Sequence, residues 1–235
     1  MDFDLEPYFR RYEALVKLAD QAFERVAKDH PECISCKIGC ADCCHALFDL
    51  TLIEALYINH KFKEKFQGPE REALLHGANT ADRQIARVKR HAVDDLQRGI
   101  GEKEILEELA RKRVRCPLLS DQNSCNLYGY RPITCRFYGI PTAIGGVGHT
   151  CGVSRFKKGQ RYPTVNLDLL HQQLQQISAE LVRDLESKFI KLADILVPLS
   201  MALLTLYDEE YLGIDCVDTR DDVAKSTSAK GRRLP

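Results

Sequence analysis

Residues 33–44 read CISCKIGCADCC: five cysteines in twelve positions, the last two adjacent. What flanks this run decides whether it belongs to a sheet-based enzyme or to a helical scaffold. On its N-terminal side Leu5, Phe9, Tyr12, Val16, Ala19, Phe23 and Val26 recur at steps of three and four. That periodicity predicts a helix over residues 5–29, stopped by Pro31. On the C-terminal side, 51–66 reads as a helix with Leu52, Ala55, Leu56 and Asn59 along one face and Gly68-Pro69 as a break. Leu74, Ala78, Ala81, Ile85, Val88, Ala92 and Leu96 predict another over 70–97, closed by Gly99, and a shorter one covers 102–112. No series of β-branched strands is present to build a parallel sheet. The expected fold class is mostly α, a helical scaffold around an irregular, cysteine-rich metal-binding loop region.

A third stripe is the most regular. Leu167, Leu170, Leu174, Ile177, Leu181, Leu185, Phe189, Leu192, Leu196, Leu199, Leu203 and Leu206 never miss a turn. They predict a long C-terminal helix with Asn166 as N-cap and Pro198 kinking or splitting it. A stripe this dense reads as core, with a homodimer seam or docking face as the alternative. The polar, charged tail 217–235 reads as disordered. Residues 1–216 then form one helical domain whose cysteine core spans 33–151.

Between 113 and 165 the periodicity disappears, and Pro117, Pro132, Pro141, Pro163 and several glycines punctuate the chain. An ordered irregular segment of this length needs something other than an apolar stripe to hold it. Cys116, Cys125, Cys135 and Cys151 lie within it. Metal coordination can supply the ordering energy, about 10–16 kcal/mol for structural zinc in small peptides.

Lys+Arg and Asp+Glu both number 34, so no global field draws the chain to nucleic acid or an anionic membrane. The first twenty residues lack the basic and apolar regions of a secretory signal. The longest uncharged stretch, ILVPLSMALLTLY (195–207), is too short to span a bilayer and reads as a buried helix. The expectation is a cytoplasmic protein with neither nucleic-acid nor membrane partners. In that compartment thiols stay reduced, and clustered cysteines serve as metal ligands or redox groups rather than disulfides.

C-x2-C hooks occur at Cys33/Cys36 and Cys40/Cys43, a spacing that lets two thiolates reach one ion. Cys43 and Cys44 are adjacent, so their side chains diverge. They serve two neighbouring sites or touch different irons of a polynuclear cluster. The four later cysteines must fold back onto the first group or onto each other. The candidate ligands are Cys36, Cys40, Cys43, Cys44, Cys116, Cys125, Cys135 and Cys151, as one cluster with spare thiols or as two four-ligand sites. Cys216 reads as a small buried hydrophobe, and Cys33 is balanced between that role and ligation. Arg113, Arg115, Arg131 and Arg136 flank Cys116 and Cys135, where guanidinium groups can offset thiolate charge. His45 and His149 read as neighbours rather than ligands, and His60, His76, His91 and His171 as solvent-facing helix residues.

Cys36, Cys40 and Cys43 also spell C-x3-C-x2-C, the spacing of the radical-SAM cluster. Those enzymes are αβ barrels with the motif after a first strand. Here helices surround it, and Asp42 replaces the usual aromatic, so the match is a coincidence of spacing. The order CKIGCADCC, then CPLL at Cys116, CNLY at Cys125 and RPITCR around Cys135 resembles the YkgJ-type cysteine-cluster family, the CxxCxxCC zinc- or iron-chelating domain. The resemblance covers about half of the chain. The first gap is three residues, where the family pattern has two. It implies an iron–sulfur cluster or zinc and no established reaction. The adjacent Cys43 and Cys44 favour a polynuclear cluster, 4Fe-4S, with Zn the alternative, and the expected role is redox, sensing or accessory. A similar pattern in flagellin lysine methylases keeps a methyltransferase association open. GIPTAIGGVGHTCG, however, has neither Walker nor Rossmann spacing.

Overall fold

The computed structural model describes residues 3–214. Its helices are α1 (Glu6–Asp29), α2 (Leu52–Lys65), α3 (Gly68–Gln97), α4 (Glu102–Arg111), α5 (Ile133–Phe137), α6 (Leu167–Asp184), α7 (Leu199–Leu204) and α8 (Glu209–Leu212). Strands are confined to pieces of two or three residues. β1 (Asp49–Leu50) pairs antiparallel with β5 (Val197–Pro198), and β2 (Thr142–Ile144) lies between β3 (Val147–His149) and β4 (Val165–Asn166). The protein is mostly α. Among the described residues no helix is long and apolar enough to cross a membrane.

α2 is the central helix. Residues 51–59 are buried without a break, and α2 turns polar residues to water only in its last turns, where His60, Glu64 and Lys65 are exposed. α1, α6 and α7 pack around it, and α3 lies against α7. The few polar groups of α2 are satisfied. Asn59 Nδ2 donates to the carbonyls of Ala202 (2.9 Å) and Thr205 (3.1 Å) at the end of α7, and Ile53 N–H donates to Ser178 Oγ on α6. The Glu54 carboxylate accepts from Thr51 N–H and its hydroxyl, a capping box that starts the helix. α1 buries Phe9, Tyr12, Ala19 and Val26 of the expected stripe, with Tyr8 and Leu15 beside them, while Leu5, Val16 and Phe23 are half-buried.

The single long C-terminal helix is not what forms. α6 stops at Asp184, where Glu186 takes a left-handed φ of 50°. There Ser187 N–H donates to Val182 C=O and Glu186 N–H to Arg183 C=O, a Schellman ending. A turn of 3₁₀ helix, Ile190–Asp194, folds back on α6, with Gln175 Nε2 donating to Ala193 C=O. Pro198 then caps α7, so 195–207 is a strand and a short helix rather than one buried helix. The leucine spacing survives because both limbs feed one core: Leu174, Ile177, Leu181, Leu185, Leu192, Leu199 and Leu203 are all buried. Those side chains are spent inside the protein, which takes most of the stripe away from a dimer seam. Residues 217–235 and Cys216 lie outside the described residues.

Asn166 caps α6 as its position predicts, its Oδ1 accepting from Asp168 N–H (2.9 Å) and Leu169 N–H (3.3 Å). Asn166→Ala is expected to cost about 1 kcal/mol of stability in denaturant unfolding. An unchanged midpoint would show the cap to be idle.

Candidate metal centre

Three irregular arms build the site. The first runs from the 3₁₀ turn Pro31–Cys33, around Gly39 at φ 84°, to the 3₁₀ turn Asp42–His45. The second is pinned to it by backbone: Cys116 N–H donates to Cys44 C=O (2.7 Å) and Val114 N–H to His45 C=O (3.1 Å). From there the chain makes a small hairpin, closed by Asn126 N–H to Leu118 C=O (2.8 Å) and turned at Asn123 with φ 54°. This hairpin brings Cys125 back beside Cys116, opposite residues 118–119.

α5 sets Cys135 in place. Its first residue, Ile133, donates N–H to Glu54 Oε1 on α2 (3.3 Å). Burial raises the pKa of Glu54, while the bonds from Thr51 and Ile133 oppose that rise. Arg136, on the same turn, is buried, and its Nη1 donates to both carboxylate oxygens of Asp20 of α1 (2.8 and 2.7 Å). It also donates to the carbonyls of Arg131 and Gly129, so one side chain clamps the whole RPITCR segment. The third arm carries Cys151 and is tied back by Arg155 N–H to Cys33 C=O (2.9 Å).

The result is one cavity of about 450 Å³ lined by Cys36, Cys40, Cys43, Cys44, Cys116, Cys125, Cys135 and Cys151. All eight cysteines expected as ligands from the sequence therefore meet in one space. Its remaining wall is largely apolar, with Phe23, Phe48, Ile58, Ile85 and Leu118 among the lining residues. Among the described residues no three His, Cys, Asp or Glu side chains already stand as a group that could hold an ion. The thiols share a cavity and are not locked into a cage. Cys33 is absent from that lining; it is buried near Glu32, Tyr162 and Lys157. His45 and His149 also stay out of the lining, and His60, His76, His91 and His171 are exposed.

Burial governs the thiols. It is the largest influence pushing Cys116 up to about 12 and Cys135 well above the usual thiol value, followed for Cys135 by the charges of Cys43, Cys116 and Cys125. Cys36 is pushed up to about 11 by burial and then by Cys40, Cys151 and Cys43. Cys43 goes the other way, to about 7, because Cys44 donates a hydrogen bond to its sulfur, and Cys44 is raised in return. Seven or eight enclosed thiolates without a cation would repel one another strongly. A bound cation reverses that preference and expels the protons.

The residues fit such a group on three counts. The donor set is thiol throughout, which suits thiophilic metals. Arg131 lines the cavity with its guanidinium 4.1 Å from the Tyr128 ring, and its buried Nε has no hydrogen-bond partner. Its charge lowers the pKa of Cys36, Cys43, Cys125 and Cys135, so the guanidinium stands where a thiolate-bound metal would place net negative charge. Gly139, at φ 113°, leaves the space that Cys36 uses, since a Cβ there would lie 2.4 Å from Cys36 Sγ. Gly139→Ala is expected to cost about 1–3 kcal/mol through that clash and the strained φ. Thermal melting by circular dichroism checks it; an unchanged melt would mean the loop moves aside freely.

Two contributors escape the motif reading. Asp42 accepts from Cys151 Sγ through Oδ2 (3.4 Å) and pairs with Arg113 through Oδ1. Its place inside the cysteine run was the only available signal. Glu54 lies 79 residues before Ile133, and the T-x-x-E capping pattern marks its local role but not its reach to α5. Compared with family models, curated proteins and solved structures, the chain matches none of them.

Proposed function

We propose that this is a thiolate metalloprotein whose cavity holds an iron–sulfur cluster, acting in redox, sensing or as an accessory to another protein in the cytoplasm. One observation carries the reading: three irregular arms and the short helix α5 together deliver eight cysteines to one cavity, with a buried, unpartnered arginine Nε beside them. Cys43, Cys44, Cys116, Cys125 and Cys135 would hold the cluster. Adjacent Cys43 and Cys44 suit different irons better than one tetrahedral ion. The resemblance to the YkgJ-type family implies an iron–sulfur cluster or zinc, and its motif also takes in Cys36 and Cys40.

When bound, a cluster supplies one-electron chemistry at a potential set by charge, hydrogen bonding and burial. The chain's own residues do the rest. Arg131 offsets charge, the apolar wall limits water, and Arg136 with Glu54 fixes the turn that presents Cys135. A zinc-chelating structural role is the alternative. An enzyme reading has one observation in its favour: 450 Å³ of largely apolar cavity is within the size range of small-molecule sites. Iron, zinc and acid-labile sulfide per chain, measured on protein purified without oxygen, test the proposal. Iron with sulfide supports the cluster; zinc without sulfide replaces it with the chelating role.

A further inference from the structure

Part of the cavity wall is not explained by metal binding. The cysteines come from the irregular arms and α5, whereas another part of the lining belongs to the helical scaffold. Ile58 stands on α2, Ala81 and Ile85 on α3, and Leu199 and Ser200 on α7, with Phe48 leading into β1. None of the six is a thiolate, imidazole or carboxylate, so this wall offers a metal nothing. Protein interiors are close-packed, and a side chain facing a void loses attractive contacts. Buried Ile58, Ala81 and Leu199 nevertheless border open space. A guest molecule would restore the missing contacts. The polar group at this end is Ser200, 1 % exposed, whose Oγ donates to Asp82 Oδ1 on α3 (3.1 Å). Its proton is committed there, which leaves the hydroxyl only its acceptor capacity.

Resting on the metalloprotein reading above, we propose that this end of the cavity binds an uncharged, largely apolar organic substrate bearing a hydroxyl, held beside the metal centre. Size permits it. An apolar cavity of about 150 Å³ already admits benzene, so a single ring needs only part of the space. The cavity here measures about 450 Å³, which leaves room for a ring beside the metal. Charge selects it. The cationic lining residues Lys37, Arg115 and Arg131 sit on the loops, and none of the six scaffold residues is charged. An ionised guest against that wall would give up its hydration with no partner in return. The Ser200 oxygen can accept one hydrogen bond from a ligand hydroxyl. The metal centre would then meet an organic molecule directly, as a centre that only passes electrons to another protein would not.

The test is NMR titration of the full-length, metal-loaded chain without oxygen, using p-cresol, toluene and p-toluenesulfonate as probes. Wild type is expected to take p-cresol at one site, about 2–10-fold more tightly than toluene for its one hydrogen bond, and to refuse the sulfonate. Ser200→Ala should erase the preference for p-cresol and keep the affinity for toluene. Ala81→Leu adds bulk to the wall far from any thiol in sequence, and should weaken both neutral probes about 10-fold or more with metal content unchanged. Should that variant misfold, magnetisation transfer from bound p-cresol to the methyls of Ile58 and Leu199 in wild type decides the matter. Its presence supports the proposal, and its absence overturns it. Binding of the probes by metal-free but not by loaded protein overturns it too, because the space would then belong to the metal alone. So does wild-type affinity in a folded Ala81→Leu, equal affinity for p-cresol and toluene, or tight binding of the sulfonate. Iron, zinc and sulfide assayed on the same samples keep the two readings apart. A chain without metal removes the metalloprotein reading, and a loaded chain that takes no neutral probe removes this one.

Discussion

Replacing Cys135 by serine should strip the protein of most of its metal. Cys135 sits on α5, which α1 and α2 hold in place, and it lines the cavity together with Cys43, Cys116 and Cys125. A serine hydroxyl is a harder, far less acidic donor and cannot replace a thiolate toward a thiophilic ion. Loss of supporting residues around metal ligands already costs about 10–100-fold in affinity, so loss of a ligand should cost at least that much. Metal analysis after desalting reads the effect. Cys43→Ser, Cys44→Ser, Cys116→Ser and Cys125→Ser should fall with it, and Cys40→Ser should lower total metal. Cys33→Ser, outside the cavity lining, should keep full content. If the cavity-cysteine variants all retained full stoichiometry, the shared cavity would not be a metal site.

The second large effect belongs to Arg136→Ala. This side chain is 6 % exposed, pairs with Asp20 and donates to two loop carbonyls. Truncation leaves those carbonyls and a carboxylate without their donor. Breaking a buried pair costs about 3–5 kcal/mol; the partial exposure of Asp20 argues for the lower end, about 3 kcal/mol. In a chain of this size that lowers the melting temperature by about 6–12 °C. Because the same residue positions Cys135, metal retention should fall in parallel. A variant that melts as wild type would show that Glu54 and the buried Ile133 and Phe137 hold α5 without the Arg136 clamp. Arg136→Lys should recover only part of the loss, since an ammonium cannot reproduce the planar fork.

The helices flanking the cysteine run could be read from periodicity because their cores are local: α1, α2, α3 and α4 fall within two residues of the expected bounds. The C-terminal stripe misled for a physical reason. Leucine spacing reports which side chains seek burial, and two limbs that fold back onto one core satisfy it as well as one straight axis does. The Schellman ending at Glu186 carries no glycine to announce it. The identity of the cavity's thiols was legible, because clustered cysteines signal one another in sequence. Their closure was not. It depends on backbone pairing between 44–45 and 114–116, on Glu54 reaching Ile133, and on Asp20 meeting Arg136 across the fold. None of these contacts leaves a periodic trace.

The central claim is that these cysteines together bind metal through sulfur. X-ray absorption at the metal edge of protein purified without oxygen tests it most directly. The expected result is a first shell of sulfur at about 2.3 Å with no resolved nitrogen or oxygen shell. A shell of oxygen or nitrogen at about 2.0–2.1 Å, unchanged in Cys135→Ser, would contradict it and place the metal on the protein surface.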